Sequence, residues 1–170
     1  QTNYNGSAVD VEDFNGSIVY GANSGIKAYC GLVTDIDGDD PKTLFVSYAT
    51  NGTQVLTVNT APTTLTSGNT ITFSTGNTAT IEAYYTDPIT GLNKIFVSNT
   101  SGTLTVTTAN TILSTGANQV LNITVVSDQR ANTAFANSET IFTANTTGRA
   151  YAAGALTNAI RNVVDEGLAT

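Results

Sequence analysis

The chain has 170 residues, of which 6 are Lys or Arg and 13 are Asp or Glu, giving a net charge of −7 and a pI near 4.1. Only 11% of residues are charged, His, Trp and Met are missing, and there is one Cys. These counts exclude Ser-His-Asp and Cys-His catalytic sets, His-containing zinc sites and an internal disulfide, and they make the chain a poor nucleic-acid binder.

No apolar run approaches about 18 residues, so no segment is expected to insert into a membrane. Beginning at Gln1, the chain reads as a processed product or as an excerpt of a longer one. Strand-like alternation is clear in Leu44-Phe45-Val46-Ser47-Tyr48, after the turn-forming Asp37-Gly38-Asp39-Asp40-Pro41. Val55-Leu56-Thr57-Val58 follows Asn51-Gly52, a pair that favours a tight hairpin turn. Ile71-Thr72-Phe73, Ala79 to Tyr84, Ile95-Phe96-Val97, Leu104-Thr105-Val106 and Val120 to Val125 continue the series, with Gly, Asn, Asp or Pro clusters between most of them. The abundant Thr suits a solvated pleated face, because its β-branched side chain favours extended backbone. Short strands at near-regular spacing predict an all-β sandwich or small barrel. From Tyr151 to Leu168 the pattern changes: Leu156, Ile160, Val163 and Val164 recur at helical spacing, Thr157 or Asn158 could cap, and Gly167 could stop. This predicts a short C-terminal helix or linker over 151–170.

A repeat lies beneath the strands. Residues 56–68 (LTVNTAPTTLTSG) and 104–116 (LTVTTANTILSTG) agree at 8 of 13 positions at an offset of 48. Phe45-Val46-Ser47 returns as Phe96-Val97-Ser98, and Thr34-Asp35 as Thr86-Asp87. The simplest reading is a β module of about fifty residues used twice and partly a third time. That gives a first module over 1–67, a second over 68–116, a partial third unit over 117–150, and the terminal helix.

The acidic loop from Asp35 to Asp40 supplies candidate calcium ligands in Asp35, Asp37, Asp39 and Asp40, since that ion takes about six to eight oxygens. Its Gly falls fourth, where an EF-hand loop needs it sixth, and the twelfth position is Val46. It reads as a solvated hairpin connection, and no metal or other cofactor is assigned. Six glycosylation triplets begin at Asn5, Asn15, Asn51, Asn99, Asn122 and Asn145, and they matter only if the chain is displayed at a cell surface. Tyr4, Tyr20, Tyr29, Tyr48, Tyr84, Tyr85 and Tyr151 could stack on sugars, although alternating strands place such rings in a core or interface more readily. Cys30 reads as a small buried hydrophobe. The neighbouring acids Glu12-Asp13 and Asp165-Glu166 point to opposite faces of any strand, so no catalytic set is expected.

Val9 to Val19, then Ala22-Asn23-Ser24-Gly25-Ile26-Lys27-Ala28, then Asp39-Asp40-Pro41-Lys42-Thr43-Leu44-Phe45-Val46-Ser47-Tyr48 resemble a segment of the baseplate and tail-appendage proteins of contractile-tailed, cyanophage-type bacteriophages. The resemblance spans 9–48 and extends in diluted form through the repeats to Gly116. It implies architecture and attachment without enzymatic activity. The expectation is a non-enzymatic structural subunit of a virion, in the tail, baseplate, a fibre or a capsid decoration. Its partners would be other virion proteins and copies of itself, with no nucleic acid and no membrane. The alternative is a secreted, N-glycosylated prokaryotic cell-surface or filament subunit, or an adhesin.

Overall fold

Antiparallel strands dominate the computed structural model, which describes residues 3–34, 42–49, 53–61, 65–112, 118–144 and 148–152. A small hairpin comes first, β1 (Asn3–Tyr4) and β2 (Ser7–Ala8), turned by Asn5-Gly6. Both turn residues take positive φ, 47° and 82°, as a type I′ turn requires. A single turn of 3-10 helix follows at Val11–Phe14, capped by the Asp10 carboxylate, which accepts the Glu12 N–H at 3.0 Å. Next come β3 (Ile18–Gly21), β4 (Lys27–Thr34) and β5 (Thr43–Tyr48). Then β6 (Gln54–Val58), β7 (Thr70–Phe73), β8 (Thr78–Thr86), β9 (Asn93–Ser98), β10 (Thr108–Ile112) and β11 (Asn118–Asp128) form a second group. β12 (Thr140–Thr143) and β13 (Arg149–Tyr151) return to the first.

The second group closes into a barrel in the order β10-β11-β6-β9-β8-β7, with β7 pairing back onto β10. The first group is an open five-stranded sheet, β13-β12-β3-β4-β5. Alternation explains both. Leu56 and Val58, Ile71 and Phe73, Ala79 and Ile81, Ile95 and Val97, and Leu121 and Ile123 point into the barrel, where Leu104 joins them. Their strand neighbours Val55 and Phe96 point outward and meet Tyr20, Ala22 and Phe142 of the sheet, together with Ala83 and Tyr85. On its far side the sheet presents Val19, Cys30, Val33, Ile141 and Ala150 to Val9, Val11 and Phe14. Three apolar layers result, and Phe14, Phe96 and Phe142 are fully buried in them. Phe142 stacks on Tyr85 with centroids 4.8 Å apart and the planes 20° apart, and on Tyr20 at 5.6 Å. Burying each such ring contributes about 1.5–3 kcal/mol.

The all-β fold expected from the alternation is what the chain adopts. Two local expectations change. Leu104-Thr105-Val106 is irregular chain, and the strand begins at Thr108. Leu104 is nonetheless buried in the barrel core, whereas Val106 is exposed. Tyr151, the first residue of the expected helix, ends β13 instead, and residues 153–170 lie outside the described residues. The sheets also draw on the sequence spans unevenly. Within 1–67, β3 to β5 belong to the open sheet and β6 to the barrel; within 117–150, β11 belongs to the barrel and β12 to the sheet. Among the described residues no helix is long and apolar enough to cross a membrane.

Candidate functional site

The seam between barrel and sheet carries the most concentrated polar chemistry, and a β-bulge creates it. β8 pairs with β9 through Ile81↔Val97 and then Ala83↔Phe96, leaving Glu82 as the extra residue. Ile81 therefore faces the barrel interior, while Glu82 and Ala83 both face the sheet. Across the seam, Tyr20 and Lys27 are directly paired on β3 and β4, so they share the face turned toward Glu82. Lys27 Nζ lies 2.8 Å from Glu82 Oε2, Tyr20 OH donates to the same oxygen at 3.4 Å, and Ser98 Oγ donates to Oε1. Burial alone would push the Glu82 carboxyl up. The hydrogen bonds from Lys27 and Ser98, the Lys27 charge and the Tyr20 hydroxyl together outweigh it and hold the group below its usual range. Burial and the nearby Glu82 charge drive the Tyr20 hydroxyl upward, so it stays a donor.

This cluster opens onto a cleft of about 600 Å³ lined by Lys27, Gln54, Glu82, Ser98, Asn99 and Arg130, among others. Glu82 is saturated by its donors and held ionised, so it is poorly suited to act as a general acid. Among the described residues no group of three His, Cys, Asp or Glu side chains could hold a metal ion.

A second polar cluster sits farther along the seam. Glu139, 2% exposed, accepts the Asn23 N–H at 2.9 Å, the Ser24 N–H and hydroxyl at 2.7 Å each, and the Ala136 N–H at 2.6 Å. A buried carboxylate is tolerable only with such a set of donors. Gly21 makes room for it: a Cβ there would lie 2.3 Å from Ser24 Oγ and 2.6 Å from Glu139 Oε1. Lys94, from β9, reaches over to this turn and donates to Ala22 O at 2.8 Å and Asn23 Oδ1 at 2.9 Å.

The third feature is the rim of the open sheet. β5 is its last strand, paired with β4 and with nothing beyond it among the described residues. Gly31 is a bulge residue, and Leu32 pairs with Phe45 on the face opposite Val33 and Leu44. Tyr29 and Leu32 are 49% and 53% exposed there, and Tyr48 is 41% exposed against Phe135. This combines an open strand edge with uncovered apolar side chains.

The residues singled out from sequence fare differently. Asp35, Asp37, Asp39 and Asp40 lie outside the described residues, as do Asn51 and Asn145. Asn5, Asn15, Asn99 and Asn122 are exposed. Cys30 is fully buried, its thiol pushed up by burial despite its contact with the Leu32 carbonyl. The tyrosines divide: Tyr20 and Tyr85 are seam core, whereas Tyr29, Tyr48 and Tyr84 are exposed. Glu82, Lys27, Lys94 and Glu139 had no motif to announce them. Each is an isolated charge in an otherwise neutral stretch, and that scarcity is the one usable signal. In comparisons with known proteins, no family model, curated protein or solved structure matches the chain.

Proposed function

We propose that this chain is a non-enzymatic structural subunit of a phage virion, in the tail, baseplate, a fibre or a capsid decoration. It works by packing against copies of itself and against other virion proteins. The β5 edge carries this reading. An open edge offers a row of backbone donors and acceptors to any extended partner, and soluble proteins usually defend it with Lys, Pro or an inward charge. Thr43–Tyr48 contains none of these, and Tyr29 and Leu32 lie exposed on the adjoining strand. Strand addition supplies affinity through the main chain, and the flanking apolar side chains supply selectivity. The resemblance over residues 9–48 adds the virion setting.

Sedimentation velocity across micromolar concentrations tests it. Association that rises with concentration and disappears in the Leu32→Lys, Phe45→Lys double variant is the expected result. A chain that stays monomeric throughout, with the variant sedimenting identically, sinks the proposal. The exposure of Asn5, Asn15, Asn99 and Asn122 favours a second reading, a glycosylated cell-surface or filament subunit. Sugar-sized mass increments at those asparagines in material from the natural source would move the assignment there.

A further inference from the structure

Two lysines bridge the seam between barrel and sheet, and their partners differ in chemistry. Lys27 meets the Glu82 carboxylate. An ionised carboxylate is a poor acyl donor, so that contact remains an ion pair. Lys94 meets the side chain of Asn23, whose carboxamide carbon bears a nitrogen that can depart. Its Nζ is held 2.9 Å from Asn23 Oδ1, one bond from that carbon, by a second contact of 2.8 Å to Ala22 O. We propose that Lys94 and Asn23 are joined by an intramolecular isopeptide bond, formed with loss of ammonia, that clamps the barrel covalently to the sheet.

The reaction balances without an oxidant or a cofactor. The lone pair of the neutral Lys94 amine attacks Asn23 Cγ, giving a tetrahedral adduct with charge on Oδ1. A proton passes from Nζ to Nδ2 through water, which reaches the site because Asn23 is exposed. The Cγ–Nδ2 bond then breaks and Nδ2 leaves as ammonia. An amine and a primary amide become a secondary amide.

The surroundings favour this step in three ways. Burial lowers the pKa of Lys94, against the opposing charges of Asp87 and Glu139, and so raises the share of neutral nucleophile. Glu139 grips the backbone N–H groups of both Asn23 and Ser24, while Asn132 Nδ2 donates to Ser24 O at 2.7 Å. The turn is thus fixed before reaction, and the amine has only to rotate from donating to Oδ1 to presenting its lone pair to Cγ. Glu139 is a positioning residue, since both of its oxygens are already taken by donors. The pair also spans 71 residues of sequence and links two separate sheets in a chain whose single Cys cannot form an internal disulfide.

Mass spectrometry of the full chain decides the matter. The expected intact mass is lower than the sequence mass by one ammonia, about 17 Da. Trypsin should fail to cut after Lys94, leaving residues 1–27 attached to residues 43–130, with the linkage read directly in the fragment spectrum. Lys94→Arg and, independently, Asn23→Ala should each release residues 1–27 as a free peptide. An unshifted mass in the wild-type chain overturns the proposal. So does a wild-type digest in which residues 1–27 are recovered unlinked, because Gln1 can also shed ammonia by cyclising onto its own amine and Asn23 by cyclising onto the Ser24 nitrogen. If either variant fails to fold, the fragment spectrum of the wild-type chain still settles the question.

Discussion

The same tripeptide stands in two places and meets two fates. Phe96-Val97-Ser98 lies in β9, flanked on both sides within a closed barrel, and Phe96 and Val97 are fully buried. Phe45-Val46-Ser47 lies in β5, with a neighbour on one side among the described residues, and its first two side chains are only partly covered while Ser47 is exposed. Local sequence is shared; closure is not. A barrel abolishes edges and turns the outer face of each strand into a surface another layer can cover, whereas an open sheet leaves its last strand half finished. Burial here is therefore a property of how many neighbours a strand has, and alternation alone does not encode that.

Four substitutions sharpen or break this contrast. Phe96→Ala should cost the most, about 3–5 kcal/mol, because it opens a hole among Tyr20, Phe142 and Ala83. Phe45→Ala should cost far less in the same urea titration. Equal losses would show that the edge strand is as fully covered as the barrel wall. Gly21→Ala comes next, at about 1–3 kcal/mol, since the new methyl would strike Ser24 Oγ and the buried Glu139 carboxylate. A thermal melt unchanged from wild type would mean the turn can move away.

Glu82→Gln is the mildest, about 1 kcal/mol at neutral pH for a partly screened ion pair. Its effect should depend on pH with a definite sign. The folded-state pKa of Glu82 lies below the unfolded value of 4.5, so the stabilisation is fully present above 4.5 and fades as pH falls through the lower, folded-state value. Melting curves of wild type and variant should accordingly converge in acid. Curves that diverge on acidification would place the carboxylate in a different environment.

The barrel strands were largely legible, because Thr-rich alternation and Gly or Asn punctuation are local signals, whereas β3, β4, β12 and β13 of the open sheet are too short or too irregular in their alternation to stand out. Leu56, Val58, Ile71, Phe73, Ile95 and Val97 all follow the period-two rule into one core. Leu104-Thr105-Val106 misled because it copies the residues of β6 without acquiring strand partners. The seam was not legible. In β8 the buried positions Ala79, Ile81, Ala83 and Tyr85 keep perfect alternation, yet the bulge at Glu82 moves the last two from the barrel interior to the sheet interface. No composition rule marks such a bulge. Lys94 and Asn23 are likewise 71 residues apart, and only the docking of barrel on sheet brings them together. Which strand would stand at the rim, β5 among the described residues, depended on the pairing order.

That order also sets a timetable. The barrel strands, Gln54 to Asp128, are continuous in the chain, whereas the sheet is split around them, with β3 to β5 before and β12 and β13 after. On a ribosome adding about 5–20 residues per second, the 12 residues from Asp128, the end of β11, to Thr140 take on the order of one second to emerge. Small β proteins fold in about milliseconds to seconds. The barrel can therefore close while β3 still lacks a neighbour on one flank, and Tyr20 must wait for Phe142. The nascent chain passes through a stage with a finished barrel beside a three-stranded fragment open along both sides, and that stage is the one most exposed to mispairing with another chain.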